Sequence, residues 1–329
     1  MTSSTRWGIL GTGKIARRMA ETLSHVPDAE LLAVGSRTQA GADSFGGAFG
    51  VPRRYQGYGA LLADPDIDVV YIGTPHPLHR RDVLACFEAG KHVLCEKPLT
   101  INAREAQDLV DAARAHRLFL MEAHWTHFFP IMERARALLA EGAIGEPRYL
   151  SVNFTWHSEV LPESRFFKHE LGGGVLLDLG VYGFALAWDV FGPPDHAVGL
   201  PVIGSTGVDF QSGYVLSYDA GGLAVIGVSQ VTADVKDAAI SGTHGRIVIH
   251  EPWYKPQRMT VSRRGQPDEV IEMPYPGTGQ EFEVQEVQRC LRAGLIESPG
   301  MPLDQSVAML ALCDEIRAAW GLVYPSEED

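Results

Sequence analysis

The sequence predicts an α/β protein of two domains: a doubly wound parallel sheet, then an α+β domain with an open, mainly antiparallel sheet. Three observations predict this fold. An apolar strand at Arg6–Leu10 is followed at once by a glycine-rich turn and a helix. Strands and helices then alternate through the first third of the chain, which is typical of parallel sheets. From residue 124 onward consecutive strand-like runs replace the alternation, so the predicted domains are residues 1–123 and 124–329.

Composition and charge restrict the partners that the chain can have. The sequence contains 28 Lys and Arg against 41 Asp and Glu, which gives a net charge of −13. Nucleic acids and anionic membrane surfaces are bound mainly through surplus basic residues, so neither is an expected partner. The hydrophobic fraction of 45% is that of an ordinary globular protein. A phosphate-bearing cofactor needs only one local cationic pocket and is therefore compatible with this charge.

The cysteines and apolar segments indicate a cytoplasmic protein. The four cysteines are far apart and include no Cys-x-x-Cys pair, which favours reduced thiols over a disulfide framework or a zinc site. No signal peptide is expected, because the first strand begins within a few residues of the start. The longest apolar stretch, Val175 to Phe191, contains Asp178 and Asp189, so we expect no membrane span.

The turn after the first strand has the pattern Gly-x-Gly-x-x-Ala and leads into a helix that runs to about Ser24. Gly11 permits the tight turn, Gly13 lets the backbone approach a pyrophosphate, and Ala16 lets the helix pack closely on the strand. The helix N-terminus supplies N–H groups to the phosphate. The pattern therefore predicts a dinucleotide-binding Rossmann domain. The expected cofactor contacts at this turn are Gly11, Thr12, Gly13, Lys14 and Ile15.

The second predicted strand, Leu31–Gly35, ends in Ser36, Arg37 and Thr38. An NAD-selective domain usually carries Asp or Glu at this position, where the carboxylate accepts a hydrogen bond from the ribose 2′-hydroxyl. A guanidinium flanked by two hydroxyls suits a 2′-phosphate instead. These three residues therefore indicate NADP rather than NAD. The alternative is that Arg37 is a solvated surface residue.

Two further predicted strands, Val69–Ile72 and His92–Cys95, also end in polar residues. Because ligands bind at the carboxyl ends of parallel strands, these residues should converge with Gly11 and Arg37 on one crevice. The candidate cofactor contacts there are Thr74, Pro75, His76, His79, Glu96 and Lys97. Four histidines of this part of the chain lack a carboxylate or cysteine at a familiar ligand spacing, so we predict no metal site. They are His76, His79, His124 and His127.

The second predicted domain contains six strand-like runs and one long helix. The runs cover 148–156, 198–203, 213–218, 223–232, 238–241 and 246–250. The helix follows Gly172-Gly173-Gly174, continues to Phe191 and carries Asp178 and Tyr182. Residues four apart lie on one face of a helix, a turn from each other. The alternative is structural, with Tyr182 as a core tyrosine and Asp178 as a charge that stabilises the helix N-terminus.

Three motifs occur in order along the chain: the Gly-x-Gly-x-x-Ala turn, Glu96-Lys97-Pro98, and Gly-Gly-Gly-x-x-x-Asp-x-Gly-x-Tyr at 172–182. Together they resemble the glucose–fructose oxidoreductase/inositol dehydrogenase (Gfo/Idh/MocA) family over essentially the whole chain. Segments 121–130 and 74–79 further resemble its branch of dimeric dihydrodiol dehydrogenases and NADP-dependent D-xylose 1-dehydrogenases. Many relatives carry histidine where this sequence has Tyr182. Tyrosine fits the dihydrodiol and glucose–fructose branches rather than the inositol dehydrogenases.

The resemblance implies reversible hydride transfer between NADP(H) and a secondary alcohol or hemiacetal carbon of a sugar or cyclic diol. It implies that Lys97 and Tyr182 flank the reacting carbon and that Asp178 supports them. We assign proton transfer to Tyr182, and electrostatic tuning with binding of the substrate oxygen to Lys97. The reverse assignment, with Lys97 as proton shuttle, stays open. The resemblance also implies a homodimer or homotetramer that assembles through the open sheet of the second domain.

Substrate binding should combine aromatic walls with groups that reach hydroxyls. The expected substrate contacts are Lys97, Trp125, Phe154, Asp178, Tyr182 and Trp253. We expect the polar groups of His79 and Arg165 to reach substrate hydroxyls. Arg165 is also a candidate cofactor contact. Two other functions stay open. The same groups would serve an NADPH-dependent ketosugar reductase acting on anhydrofructose or a nucleotide-linked 3-ketosugar. A catalytically silent NADP-binding regulator is disfavoured, because both Lys97 and Tyr182 are retained.

Overall fold

The computed structural model describes residues 4–327. The chain forms two compact units. The first runs to Trp125 and includes Pro276–Val307, and the second comprises Thr126–Tyr275 with the segment from Ala308 onward. The division differs from the predicted boundary after residue 123, because a late segment returns to the first unit.

The first unit contains a six-stranded parallel sheet, as the sequence predicts. Its strands are β1 (Thr5–Leu10), β2 (Ala29–Ser36), β3 (Arg53–Gln56), β4 (Val69–Ile72), β5 (His92–Glu96) and β6 (Leu120–Ala123). Its first five helices are α1 (Lys14–Leu23), α2 (Gln39–Phe49), α3 (Tyr58–Leu62), α4 (His79–Glu88) and α5 (Ala103–His116). The strand order β3-β2-β1-β4-β5-β6 is that of a Rossmann fold, with its topological switch between β1 and β4.

The returning segment, Pro276–Val307, bonds to the far edge of this parallel sheet. The Leu120 amide on β6 donates to the Ile296 carbonyl oxygen at 3.0 Å. Arg114 on α5 forms an ion pair with Asp304 at 2.9 Å. These contacts join positions that are far apart in sequence, so no local pattern predicts them.

Within the described residues, the second unit contains one nine-stranded sheet that is mixed and mainly antiparallel, as predicted. Its strands are β7 (Pro147–His157), β8 (His196–Ile203), β9 (Asp209–Tyr218), β10 (Gly222–Ser229), β11 (Val231–Val235), β12 (Ala238–Gly242), β13 (Gly245–Ile249), β14 (Arg258–Arg263) and β15 (Glu269–Glu272). Eight strands follow the order β15-β14-β13-β12-β7-β10-β9-β8, and β11 pairs with β7. The sequence patterns miss β14 and β15, and the predicted run 223–232 divides into β10 and β11.

The long apolar helix of this unit is interrupted. Helix α6 (Pro130–Ala140) precedes β7, and α7 (Val181–Phe191) directly follows a π-helical turn at Leu176–Gly180. Helices α8 (Glu281–Arg292) and α9 (Leu303–Ala318) follow the sheet in sequence, but α8 belongs to the first unit and α9 spans the division at Val307. The apolar run His169–Phe191 has the length and composition of a membrane span, but 78% of its most apolar window is buried inside the protein. It is therefore a core helix of a globular domain.

The two faces of the nine-stranded sheet differ. Helix α7 covers one face so closely that a Cβ at Gly183 would lie 2.6 Å from a methyl group of Ile226 on β10. The opposite face carries exposed apolar side chains along β8. Val198 is 57% exposed, Leu200 is 75% exposed and Val202 is 56% exposed. An uncovered apolar face of this kind is typical of a protein interface.

Candidate active site

The glycine turn between β1 and α1 has the geometry of a dinucleotide-binding loop. Gly11 has a φ of +100°, which residues with a side chain rarely adopt. A Cβ at Gly11 would lie 3.2 Å from the Gly73 carbonyl oxygen, so the turn passes close to the end of β4. A Cβ at Gly13 would meet nothing within 4 Å, which leaves open space beside the backbone. The turn therefore leaves room for the close backbone approach to a pyrophosphate that the sequence predicts here.

The N-terminus of α1 is suited to an anion. Gly13 is its N-cap, and no side chain of the described residues caps the first turn. Lys14 is exposed, and Thr12 and Ile15 are partly exposed, so all three predicted contacts have surface at this turn. Ala16 is fully buried, as close packing of the helix on the sheet requires. The helix dipole and the uncapped N–H groups would stabilise the negative charge of a dinucleotide.

The end of β2 carries the three residues that predict NADP. Ser36 is buried, whereas Arg37 and Thr38 are exposed. The Thr38 side chain accepts a hydrogen bond from the Gly41 amide at 3.1 Å and thereby caps α2. A Cβ at Gly41 would meet both Ser36 Oγ and Thr38 Oγ1, so both hydroxyls lie at the start of this helix. A guanidinium next to two hydroxyls and a helix N-terminus fits a 2′-phosphate.

Fully buried His79 connects the loops that follow β4 and β5. Its Nε2 lies 2.8 Å from the Thr74 carbonyl oxygen, and its Nδ1 lies 3.0 Å from the Pro98 carbonyl oxygen. Burial lowers the pKa of the imidazole, and a neutral ring can donate to only one of the two carbonyls. The sequence predicts a ligand contact for His79. The ring instead lies inside the protein, where it can act on a ligand only through these loops.

Lys97 follows β5 and is 8% exposed. Buried carboxyl groups hold the chain around it. Glu96 accepts a short hydrogen bond from the Tyr71 hydroxyl. Glu122 accepts one from the Leu99 amide at 3.1 Å. Burial raises the pKa of Glu122, while hydrogen bonds and the positive charge of Lys97 lower it in part. The Lys97 ammonium group therefore interacts electrostatically with the buried carboxyl group of Glu122.

Asp178 lies in the π-helical turn of the second unit and is 4% exposed. Arg165 places Nη1 and Nη2 each 3.4 Å from its Oδ1. Gln230 Nε2 donates to its Oδ2 at 3.2 Å. The sequence predicts α-helical spacing between Asp178 and Tyr182, but the turn around Asp178 is wider than an α-helix. Such π-helical turns are frequent at functional sites.

Tyr182 lies on α7 within an aromatic cluster. The Phe154 ring meets it edge to face, with 5.6 Å between ring centres and an angle of 69°. The Tyr254 ring lies 6.4 Å from Tyr182 and stacks on Phe154 at 4.4 Å. Such packing restricts the orientation of the Tyr182 ring, which is 7% exposed. Phe154, predicted as a wall, is 2% exposed and contacts Tyr182 itself.

Two further residues predicted to line a substrate pocket, Trp253 and Trp125, are also buried. Trp253 is fully buried, and its Nε1 donates to the Asn153 carbonyl oxygen at 3.0 Å. It therefore belongs to the core beneath Phe154. Trp125 is 6% exposed in the first unit, where the Arg18 guanidinium lies 4.2 Å from its ring centre. Residue type alone does not separate core aromatics from wall aromatics, because both bury large apolar faces.

Three of the four histidines considered above have described protein contacts: His76, His79 and His127. In residues 4–327, no group of three or more His, Cys, Asp or Glu side chains is arranged to hold a metal ion. His127 Nδ1 lies 3.3 Å from an Asp189 carboxylate oxygen. His76 is buried, with its ring centre 5.9 Å from that of His79, and Pro75 before it is partly exposed.

Sequence patterns do not identify three residues that support Asp178, Tyr182 or the backbone before them: Gln230, Tyr254 and Asp209. The glycines before Asp178 give an indirect indication, since they predict that another part of the chain comes close. A Cβ at Gly173 would lie 2.9 Å from the Lys168 backbone, and a Cβ at Gly174 would overlap the Asp209 carboxylate. The sequence predicts the close approach but not the partners.

The chain has a Rossmann sheet, a helix N-terminus without a side-chain cap and a buried lysine at the end of a strand. It also carries a carboxylate and a phenol that neighbouring side chains hold in place. Together these features define a dinucleotide-dependent oxidoreductase. Residues 5–124 match the family described as "Oxidoreductase family, NAD-binding Rossmann fold". Residues 132–248 match the "GFO/IDH/MocA C-terminal domain". The chain therefore belongs to the Gfo/Idh/MocA oxidoreductase family.

Curated relatives and solved structures agree with this membership. The trans-1,2-dihydrobenzene-1,2-diol dehydrogenase of Xenopus tropicalis is 36% identical over 98% of this chain and 100% of its own. The human enzyme of that name is 35% identical over 98% of this chain and 99% of its own. A 3-ketoreductase from Actinomadura kijaniata, solved with NADP and TDP-benzene, is 28% identical with a TM-score of 0.85, covering 96% of this chain and 98% of its own. An aldose-aldose oxidoreductase from Caulobacter crescentus, 24% identical with a TM-score of 0.87 and covering 96% and 97%, shares the fold. The predicted family and branch are confirmed.

Proposed function

We propose that the chain is an NADP(H)-dependent oxidoreductase that transfers hydride to or from a CH–OH carbon of a sugar or cyclic diol. The aldose 1-dehydrogenase and trans-dihydrodiol dehydrogenase reactions are the specific candidates. The observation that carries the proposal is the likeness to trans-dihydrodiol dehydrogenases over 98% of the chain. Lys97, Asp178 and Tyr182, the residues that the family motifs single out, are all retained.

Oxidation of an alcohol removes a proton from oxygen while hydride leaves carbon. A nicotinamide held by the glycine turn of the first unit would supply the hydride acceptor, or the hydride donor in the reverse direction. Tyr182 takes the proton from the substrate hydroxyl, and Lys97 binds the same oxygen. An ordinary phenol has a pKa of about 10 and is a weak base at neutral pH. A positive charge favours the phenolate form of a tyrosine, and the role that we propose for Lys97 is to supply that charge.

Asp178 and its partners keep the phenol in place. Arg165 and Gln230 bind the Asp178 carboxylate, which restricts its orientation within the second unit. Phe154 restricts the ring of Tyr182 on the same helical segment. We propose that this support orients Tyr182 for proton transfer. Part of the Arg165 side chain is solvent-exposed, which leaves it able to reach a ligand as well.

Arg37, Ser36 and Thr38 support NADP as the preferred cofactor. They combine one guanidinium, two hydroxyls and the N-terminus of α2, and no acidic side chain stands among these three positions. The relative from Actinomadura kijaniata was solved with NADP. Because a carboxylate normally binds the 2′-hydroxyl of NAD, its replacement by arginine disfavours NAD.

A ketosugar reductase is the second candidate. The solved relative at 28% identity and a TM-score of 0.85 is a 3-ketoreductase bound to NADP and TDP-benzene. The same lysine and tyrosine would then protonate the alkoxide that forms when hydride reaches the ketone. The direction that the cell uses is set by substrate and cofactor supply, not by these groups.

One experiment separates these candidates. Binding of NADPH and NADH is measured by cofactor fluorescence, followed by turnover of D-xylose, D-glucose and a trans-dihydrodiol with NADP. Reduction of a nucleotide-linked 3-ketosugar is measured with NADPH. Oxidation of a sugar or diol supports the main proposal, and reduction of the ketosugar alone supports the second. Tight NADPH binding without turnover on any of them would favour a non-catalytic NADP-binding regulator.

The uncovered face of the nine-stranded sheet supports assembly into a homodimer or homotetramer. Val198, Leu200 and Val202 on β8 expose more than half of their surface each. Burying such side chains stabilises an interface by about 25 cal/mol per Å². Light scattering that finds only a monomer would contradict the assembly.

We place the protein in the cytoplasm, because its separated cysteines fit a reducing compartment.

A further inference from the structure

Asp209, at the start of β9, is fully buried and forms hydrogen bonds that the proposed reaction does not use. Its Oδ2 accepts a hydrogen bond from the Leu176 amide at 2.9 Å and one from the Ser212 hydroxyl at 3.0 Å. Leu176 is the first residue of the π-helical turn. The carboxyl group therefore binds the N–H group at the start of the helical segment that carries Asp178 and Tyr182.

The glycine run is shaped around this carboxyl group. Gly174 has a φ of +113°, and a Cβ there would overlap Asp209 Oδ1. The Gly173 carbonyl oxygen accepts a hydrogen bond from the Tyr324 hydroxyl at 2.8 Å. The chain before the π-helical turn is therefore fixed by a carboxyl group and by a phenol, each from a part of the second unit distant in sequence.

We propose that Asp209 is a positioning residue for the proposed reaction, fixing the backbone from which Asp178 and Tyr182 project. The inference rests on the proposed function, because positioning has an effect on rate only if these two side chains take part. Asp178 lies two residues after the amide that Asp209 binds. A shift of about 1 Å in a reacting group can cost roughly 10²-fold in rate.

The surroundings of Asp209 make its charge depend on pH. Burial raises its pKa to about 7, against the lowering effect of hydrogen bonds from Ser212 and backbone amides. The neighbouring titratable groups are Tyr214 on β9, Tyr324 near the C-terminus and, next to these phenols, Cys313 on α9. Arg317 lies over the Tyr324 ring at 5.0 Å and pairs with Asp314 and Glu327. Burial raises the pKa of both phenols, so near neutral pH they are uncharged.

The test compares Asp209→Ala and Asp209→Asn with the wild type in the full chain. Asparagine can still accept a hydrogen bond from the Leu176 amide, whereas alanine cannot. We expect kcat to fall by about 10- to 100-fold in Asp209→Ala, with unchanged NADPH binding and partial recovery in Asp209→Asn. Hydrogen exchange of the Leu176 amide should be fastest in the alanine variant. Wild-type kcat and exchange in Asp209→Ala would overturn the proposal.

A second measurement does not depend on turnover. Compared with Asp209→Asn, the wild type should lose stability against urea as pH rises from about 4 to about 7, since its folded state then has to ionise a buried carboxyl group. Ser212→Ala, should the other variants fail to fold, should move the midpoint of this loss to higher pH. The control Asp219→Asn removes an exposed carboxylate at the end of β9 and should change nothing. An unchanged pH dependence in Asp209→Asn would contradict the inference. If the wild type turns over none of the substrates, the proposed function is rejected. The stability and hydrogen-exchange results would then still decide whether Asp209 fixes the start of the helical segment.

Discussion

His79 in the first unit and Asp209 in the second hold their loops in opposite ways. Each is fully buried, and each binds backbone next to a segment that carries a proposed catalytic residue. His79 faces the Thr74 and Pro98 carbonyl oxygens, so it acts as a donor to loops at strand ends. Asp209 accepts from the Leu176 amide, so it acts on the start of a helix. The first unit thus uses a histidine, which can become a cation, next to carbonyl oxygens. The second unit uses an aspartate, which can become an anion, next to a backbone amide.

The difference between His79 and Asp209 has a consequence for stability. Burial disfavours the charged form of each, so it lowers the pKa of His79 and raises that of Asp209 to about 7. His79 therefore contributes stability that is lost as pH falls, because the unfolded chain takes up a proton first. Asp209 contributes stability that is lost as pH rises from about 4 to about 7. With each pKa unit worth about 1.4 kcal/mol, the Asp209 contribution amounts to about 4 kcal/mol at most.

The largest stability effect should come from crowding the Asp209 site. In Gly174→Ala the new methyl group overlaps the Asp209 carboxylate in a backbone conformation that disfavours a side chain. We expect a loss of about 2–4 kcal/mol in the free energy of unfolding, measured by urea denaturation. Gly142→Ala is the matched control, because its φ is +68° but nothing lies within 4 Å of a Cβ. It should cost about 1 kcal/mol, and equal losses in the two variants would show that Asp209 does not crowd Gly174.

Removing His79 should have a smaller effect and the opposite pH signature. His79→Ala leaves a buried carbonyl without its donor and opens a cavity, so we expect a loss of about 2 kcal/mol at pH 8. Below pH 6.5 the difference from the wild type should shrink, because protonation already weakens the wild type there. The exposed residue His25 provides the control, and His25→Ala should be neutral. If the difference in the free energy of unfolding between His79→Ala and the wild type grows below pH 6.5, the predicted direction of this pH dependence is wrong.

Cofactor choice should depend on the first unit alone, with the smallest effect of the three. Arg37→Asp replaces a phosphate-binding cation with a carboxylate that suits the ribose 2′-hydroxyl. We expect the ratio of NADPH to NADH affinity to fall at least about tenfold, or 1.4 kcal/mol, in fluorescence titrations. Stability profiles against pH should match those of the wild type, which separates this position from His79 and Asp209. An unchanged affinity ratio would remove Arg37 from the 2′-phosphate site.

The parts of the fold that the sequence predicts are those with local patterns. The turn at Gly11 and the strands β1, β4 and β5 follow from apolar runs next to small or polar residues. Helix α2 and strand β3 have no such pattern, because α2 contains several glycines and β3 is short and polar. The return of Pro276–Val307 to the first unit depends on contacts such as Leu120 with Ile296, which only the folded chain brings together.

The candidate site divides in the same way. Lys97, Asp178 and Tyr182 belong to motifs and can be found from the sequence. Their supports cannot: Gln230 and Asp209 lie more than 25 residues from the groups they hold, and neither belongs to a recognisable motif. Residue type also misleads, since Trp253 has the chemistry of a pocket wall but no exposed surface.

The most direct test of the proposed chemistry is the kcat of Tyr182→Phe and Lys97→Ala on the sugar or diol that the wild type oxidises. Phenylalanine keeps the aromatic packing on Phe154 and removes only the hydroxyl, so cofactor binding and unfolding should stay near wild type. We predict a fall in kcat of about 10²–10⁴ in each variant, the range for loss of acid–base help. Near-wild-type turnover in both variants would contradict the roles proposed for Tyr182 and Lys97.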